Sequence, residues 1–220
     1  MKNKKTLYHF VLDKSGSMNN CIESTVKGYN AQLEAIQKLQ KEYPEQHFLI
    51  SLTIFDDTVD DVQLNQSIDA VKFLNITRYR PGGTTALLDA IGMSINSIRI
   101  ANETKILNNE MSIVMVILTD GLENASREFT FHQIASTIKT LEETEKWTFN
   151  FLGADIDAIH TSKMLNIKSE NVVSFSKSNM DEMMNHVSEG MKQYTFSKSK
   201  GITKNNFLDF IKNKDLRKNK

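Results

Sequence analysis

The sequence of 220 residues contains one cysteine, Cys21, and only two prolines. A single cysteine excludes an intramolecular disulfide and a zinc cluster made of cysteines, and it fits a reducing compartment. No stretch reaches the roughly eighteen uncharged apolar residues of a membrane-spanning helix, and the basic-then-apolar start is too short for a signal peptide. We therefore expect a cytoplasmic protein without a membrane span.

The chain also lacks an excess of either charge, with 27 basic and 27 acidic residues. The balance is uneven, because residues 192–220 hold nine basic and only two acidic side chains. A lysine-rich end without interleaved aromatic residues is typical of a solvated segment rather than of a nucleic-acid surface. We expect one domain over residues 1–197 and a basic, partly disordered tail over residues 198–220, and nucleic acid is disfavoured as a partner.

Segments whose apolar residues are spaced as in strands alternate along the chain with segments whose apolar residues are spaced as in helices. This order predicts a mostly parallel sheet covered by helices on both faces. The predicted strands are residues 7–12, 47–55, 58–64, 111–118, 147–152 and 172–175, and the predicted helices are residues 22–39, 87–98, 130–141, 154–165 and 180–194. Only a tight turn precedes the strand 58–64, so this strand must pair antiparallel with its predecessor. The prediction is a Rossmann-like, doubly wound, six-stranded α/β sheet with one antiparallel edge strand.

Three pieces of chain present oxygen-bearing side chains at one edge of this predicted sheet. The first follows the first strand, the second follows a pair of glycines, and the third follows the strand 111–118. These candidate metal ligands are Asp13, Ser15, Ser17, Thr84 and Asp120. The first strand and the strand 111–118 should be neighbours at the switch point of the sheet, so all three pieces are expected to meet in one crevice.

Hard oxygen donors without histidine or cysteine suit Mg²⁺, with Mn²⁺ or Ca²⁺ as alternatives, and they disfavour zinc. Only two of the candidate ligands are anionic, so much of the charge of a divalent ion would remain uncompensated. Such an ion attracts water or the Asp or Glu carboxylate of a partner to an open coordination position. The pattern therefore favours a site that recruits a ligand over a sealed structural site.

The order Asp-x-Ser-x-Ser, then Thr, then Asp resembles the metal-ion-dependent adhesion site (MIDAS) of the von Willebrand factor type A (VWA) family, which includes the integrin I domains. The resemblance covers about residues 5–195, including the antiparallel excursion. It implies the VWA fold and a protein-interaction module that binds an acidic side chain of a partner through Mg²⁺. Without a secretory signal, the chain is more similar to the intracellular stand-alone members of microbes.

In that family the two serines bind the ion directly, the threonine does so in ligand-bound states, and the aspartates often act through water. The resemblance places these roles on Ser15 and Ser17, on Thr84, and on Asp13 and Asp120. Thr84 is preferred to its neighbour Thr85, because the threonine of the family is normally the first after the glycines.

Two alternatives to an interaction module remain open at this stage. The first is a phosphoester hydrolase in which Mg²⁺ beside Asp13 activates water or assists a nucleophilic carboxylate. Haloacid dehalogenase phosphatases also place an aspartate after the first strand, but they have a second aspartate where this chain has Ser15. The second alternative is a VWA-fold scaffold with an inactive site. The sequence contains no Gly-x-Ser-x-Gly elbow and no phosphate-binding glycine loop with its lysine.

Overall fold

The computed structural model of the protein describes residues 5–202 and 207–208. Its strands are β1 (Lys5–Asp13), β2 (His47–Phe55), β3 (Val59–Ser67), β4 (Met111–Thr119), β5 (Trp147–Ala154) and β6 (Val172–Phe175). Its α-helices are α1 (Ile22–Glu42), α2 (Leu87–Leu107), α3 (Phe131–Glu143), α4 (Ala158–Met164) and α5 (Met180–Ser199), and short 3₁₀ turns include Gly16–Cys21 and Lys177–Asn179. Among these helices of the described residues, none has the length and apolar character needed to cross a membrane.

The six strands form one sheet in the order β3-β2-β1-β4-β5-β6. Strand β1 pairs in parallel with both β2 and β4, and the sheet continues in parallel through β5 to β6. Strand β3 is antiparallel to β2 and lies at the edge. The predicted sheet of six strands with one antiparallel edge strand is confirmed, and β1 and β4 meet at its centre, where the strand order reverses.

Alternate side chains of β1 enter two separate cores, one on each face of the sheet. Tyr8, Phe10 and Leu12 pack with apolar residues of α1 and α5. Leu7 and Val11 pack on the opposite face with residues of α2, α3 and α4. Every residue of β4 is buried, as expected for a central strand that is covered on both sides. Helices on both faces therefore hold the carboxyl ends of β1 and β4 side by side.

Helix α3 begins where its sequence signal placed it, whereas α4 begins later than predicted. Thr130 caps α3 in a capping box with Gln133, whose backbone N donates to Thr130 Oγ1 at 3.3 Å. Helix α4 was predicted from residue 154, and this start is wrong because β5 continues to that position. Asp157 then caps the helix, since its carboxylate accepts a hydrogen bond from the backbone N of His160 at 2.9 Å.

Two residues of the predicted tail, Phe207 and Leu208, contribute to the core of the domain. Helix α5 extends to Ser199, slightly beyond the predicted domain boundary at residue 197. Phe207 and Leu208 are buried with the residues of α1 and α5, and the backbone N of Phe207 donates to Asn171 Oδ1 at 2.8 Å. Residues 203–206 and 209–220 of the predicted tail lie outside the described part of the chain.

Candidate metal centre

Hydrogen bonds join the loop after β1 to the loop after β4 at the carboxyl edge of the sheet. The hydroxyl oxygens of Ser15 and Ser17 lie 3.1 Å apart, and Ser17 Oγ donates to Asp120 Oδ1 at 2.6 Å. Asp13 is tied to the same region, because Thr119 Oγ1 donates to Asp13 Oδ2 at 2.5 Å. The structure thus brings four of the five predicted ligands into one cluster of oxygen atoms.

The Asp13 carboxylate is held in a fixed orientation inside the protein. It is fully buried, and its Oδ1 accepts a hydrogen bond from the backbone N of Ser15 at 2.7 Å. Burial raises the pKa of Asp13 above its usual value, although the hydrogen bonds from Thr119 and Ser15 act in the opposite direction; the nearby Asp120 raises the pKa further. The pocket therefore disfavours the charged carboxylate, and a cation at this position would stabilise it.

The glycine loop before α2 lies against the loop after β1. The backbone N of Gly16 donates to Gly83 O at 3.2 Å, and the backbone N of Gly82 donates to Lys14 O at 2.9 Å. Gly83 has a φ of +64°, and a Cβ atom there would lie 2.1 Å from Asp57 Oδ1. Only glycine both adopts this positive φ readily and leaves room for the Asp57 side chain. The second predicted piece of the site is therefore fixed beside the first by backbone contacts.

The two threonines of this loop occupy different environments. Thr84 is exposed, and its hydroxyl makes no hydrogen bond with any residue that the structure describes. Thr85 is buried, and its Oγ1 lies beside the loop after β4, because a Cβ atom added to Gly121 would lie 2.5 Å from it. The loop thus approaches the oxygen cluster, but the structure does not join the Thr84 hydroxyl to the other four predicted ligands.

Polar residues around the cluster fix the loops to one another. The backbone N of Thr85 donates to Asn124 Oδ1 at 2.9 Å, and the backbone N of Asn124 donates to Thr85 O at 3.1 Å. The Glu123 carboxylate accepts a hydrogen bond from the backbone N of Leu88 at 2.9 Å, in the first turn of α2. These bonds connect the second loop to the third, so hydrogen bonds link all three loops at this edge of the sheet.

Lys177, which follows β6, brings an ammonium group to the same cluster. Its Nζ lies 2.5 Å from Asp120 Oδ2 and donates to the backbone O of Ser17 at 3.1 Å. The Asp120 side chain is 0% exposed and that of Lys177 only 17%. Sequence reasoning missed this residue. Its position two residues after a parallel strand was the available signal, since the carboxyl ends of such strands share one edge of the sheet.

The oxygen cluster fits a hard divalent cation by its chemistry. Two carboxylates and two serine hydroxyls converge, and such oxygen atoms are the ligands that Mg²⁺, Mn²⁺ and Ca²⁺ prefer. Within residues 5–202 and 207–208, no group of three or more His, Cys, Asp or Glu side chains is arranged to hold a metal ion. An ion at this edge would therefore depend on the serine hydroxyls as well as on the carboxylates.

Neither a protein-family model nor a curated protein matches the chain. Among solved structures, proximal thread matrix protein 1 (PTMP1) from the mussel byssus aligns with a TM-score of 0.62 and 15% identity over 85% of this chain and 46% of that chain. The vWF domain of the pili tip protein Mfa5 from Porphyromonas gingivalis aligns with a TM-score of 0.61 and 11% identity over 86% of this chain and 96% of that domain.

The chain has the von Willebrand factor type A fold. A third structure agrees, since the VWA domain of SpRpn10 aligns with a TM-score of 0.59 and 16% identity over 81% of this chain and 93% of that domain. PTMP1 has also been solved with a zinc-occupied MIDAS motif, and the present chain spans about half of the PTMP1 chain, 46% of its length. At these identities the likeness establishes the VWA fold, and the oxygen cluster lies at the carboxyl edge of its sheet.

Proposed function

We propose that this VWA-fold chain is a metal-dependent protein-interaction module that binds an acidic side chain of a partner through a divalent ion, with Mg²⁺ as the expected ion. The proposal depends on one observation, the continuous contact from Ser15 through Ser17 to Asp120 beside the buried Asp13 carboxylate. The zinc-occupied MIDAS of PTMP1 supports divalent-ion binding in this fold. The proposed ligands from these two loops are Asp13, Ser15, Ser17 and Asp120.

An ion at this site would retain a net attraction for carboxylates. Mg²⁺ takes about six oxygen ligands in octahedral geometry, and it usually keeps several waters when the protein supplies few. Serine hydroxyls do not neutralise its charge, and the resemblance to the VWA family implies that Asp13 and Asp120 often act through water, so much of the charge at the ion stays uncompensated. A carboxylate of a partner protein can therefore replace a water and complete the coordination. The loops around the site would then determine which acidic segment is bound.

The exchange of a bound water for a carboxylate gives a direct test. We expect Mn²⁺ bound to the protein to enhance the relaxation of water protons, and a short peptide with a central glutamate to reduce this enhancement. The matched peptide with glutamine at the same position lacks the charge and should leave the enhancement unchanged. If Mn²⁺ binds but the two peptides behave alike, the site holds an ion without recruiting a carboxylate.

The fifth oxygen ligand is proposed to come from the glycine loop, where Thr84 and Thr85 compete for the role. The buried hydroxyl beside Gly121 favours Thr85, whereas the sequence pattern favoured Thr84. We expect Thr85→Val to weaken Mn²⁺ binding by about tenfold, the range seen when a group near a metal is lost. The isosteric control Thr84→Val should bind normally in calorimetry. A larger loss for Thr84→Val would return the role to Thr84.

The hydrolase alternative gains no support from the geometry. Haloacid dehalogenase phosphatases have a second aspartate as acid and base two residues after the first, and this chain has Ser15 there, whose Oγ lies 3.1 Å from Ser17 Oγ in the oxygen cluster. Mg²⁺-dependent turnover of a generic phosphate ester that is abolished by Asp13→Ala would nevertheless establish hydrolysis and replace the interaction module.

A further inference from the structure

The ammonium group of Lys177 contacts Asp120, a carboxylate that is also a proposed ligand of the metal ion. Asp120 Oδ1 accepts a hydrogen bond from Ser17 Oγ at 2.6 Å, whereas Oδ2 accepts none from the described residues and forms an ion pair with Lys177 Nζ at 2.5 Å. The pair is nearly enclosed, with the Asp120 side chain 0% and the Lys177 side chain 17% exposed. Water screens such a pair much less than it screens a surface ion pair, so the lysine neutralises most of the charge of this carboxylate.

A divalent ion bound by Asp120 would lie close to this ammonium group. Mg²⁺ sits about 2.1 Å from its oxygen ligands. With Nζ 2.5 Å from Asp120 Oδ2, an ion on Oδ2 would lie within about 5 Å of the lysine charge, and an ion on Oδ1 within about 7 Å. Like charges at these separations repel strongly enough to weaken ion binding by about tenfold even at a dielectric close to that of water. The lysine and the ion therefore compete for one carboxylate.

The attachment of Lys177 allows its side chain to leave while the backbone stays in place. The residue opens the 3₁₀ turn Lys177–Asn179, and its backbone N donates to Asp155 Oδ1 at 3.3 Å. The four-carbon stem of lysine is flexible and its ammonium group is strongly hydrated. An ammonium group displaced from Asp120 can therefore move to solvent without a change in the sheet or in the turn.

We propose that Lys177 is a built-in counter-cation, which holds Asp120 when no divalent ion is bound, moves away when an ion binds, and thereby keeps the affinity for the ion low. This inference rests on the proposed metal site and adds a residue that sets its affinity. Occupancy of the site then depends on the concentration of the divalent ion, because the ion must displace the lysine before Asp120 can take part in coordination.

Calorimetric titration of Mn²⁺ and Mg²⁺ into the whole chain tests the proposal with three proteins. We expect Lys177→Met, which keeps the unbranched chain as far as Cε and removes the charged end, to bind each ion about tenfold more tightly than the wild type. The matched control is Lys27→Met, which removes the same charge from an exposed pair with Asp181, where Nζ and Oδ2 are 3.1 Å apart. This control should bind with wild-type affinity.

The outcomes separate this inference from the function on which it rests. Equal affinities of wild type and Lys177→Met overturn the role of Lys177 and leave the metal site standing, whereas binding by neither protein overturns both. The wild type supplies a second measurement should Lys177→Met fail to fold. In its crystal structure grown with Mn²⁺, we expect Nζ to lie more than about 4 Å from Asp120 Oδ2. An ion bound there with the pair intact would refute the displacement.

Discussion

Replacing Asp13 by asparagine is expected to weaken Mg²⁺ binding by about a hundredfold or more. The substitution removes one of the two carboxylate charges in the oxygen cluster, and losing one partner of a buried charged interaction typically costs about 2 to 5 kcal/mol. The amide can be accommodated, because Thr119 Oγ1 lies 3.1 Å from Gly121 O and can donate there while it accepts from the new amide. The fold should therefore survive, and calorimetry with Mg²⁺ measures the loss.

The same variant should be more stable than the wild type when a chelator removes all divalent ions. Burial raises the pKa of Asp13 in the folded protein, so at neutral pH the charged carboxylate disfavours the folded state, and its neutral replacement removes that penalty. In chelator we expect Asp13→Asn to have a higher Tm than the wild type. Adding Mg²⁺ should raise the Tm of the wild type but not that of the variant. The exposed control Asp69→Asn should match the wild type in both conditions. A wild-type Mg²⁺ response in Asp13→Asn would contradict the assignment of Asp13.

The sheet was predictable because its signals are local. The strand β4 is buried on both faces, and its sequence accordingly contains no charged residue. Only a tight turn separates β2 from β3, which fixes their antiparallel pairing. The position of the first piece of the candidate site was equally predictable. Asp13, Ser15 and Ser17 are close in sequence, and the parallel order of β1 and β4 brings them to the residue that follows β4.

The features that the sequence could not supply depend on backbone conformation or on contacts between residues far apart in the chain. The adjacent Thr84 and Thr85 differ in burial, Thr84 being exposed and Thr85 buried, and neither this difference nor the φ of +64° at Gly83 before them can be predicted from the residue types alone. Lys177 lies 160 residues from Ser17 in the chain, yet its Nζ donates to the backbone O of that residue. No periodicity reports such a contact, because only the assembled edge of the sheet brings these groups together.

A buried polar network that is separate from the metal centre surrounds His9 of β1. His9 is fully buried, and its Nε2 lies 2.9 Å from Thr53 Oγ1. Thr53 Oγ1 donates its only hydrogen to Asp61 Oδ1 at 2.6 Å, so it must accept a hydrogen bond from the protonated His9 Nε2. His9 Nδ1 is then an unprotonated nitrogen that has no hydrogen-bond partner among the described residues. Protonating it would place a charge in the core without a partner.

Acid should therefore destabilise the protein through His9. Burial lowers the pKa of His9 from 6.5 to about 4, although Asp61 acts in the opposite direction. Between these two values the unfolded chain binds a proton that the folded chain does not, so the stability present above pH 6.5 is lost as the pH falls toward about 4. The loss is about 1.4 kcal/mol per pH unit, or about 3 kcal/mol over the window.

Urea unfolding as a function of pH isolates this contribution when the wild type is compared with His9→Gln. The glutamine amide can still donate to Thr53 Oγ1 but does not titrate, so the free energy of unfolding of the variant should fall less steeply on acidification, by about 1.4 kcal/mol per pH unit. The exposed control His132→Gln should follow the wild-type curve. Parallel curves for wild type and His9→Gln would mean that His9 is protonated in the folded state, because only a group that titrates differently in the two states changes the slope.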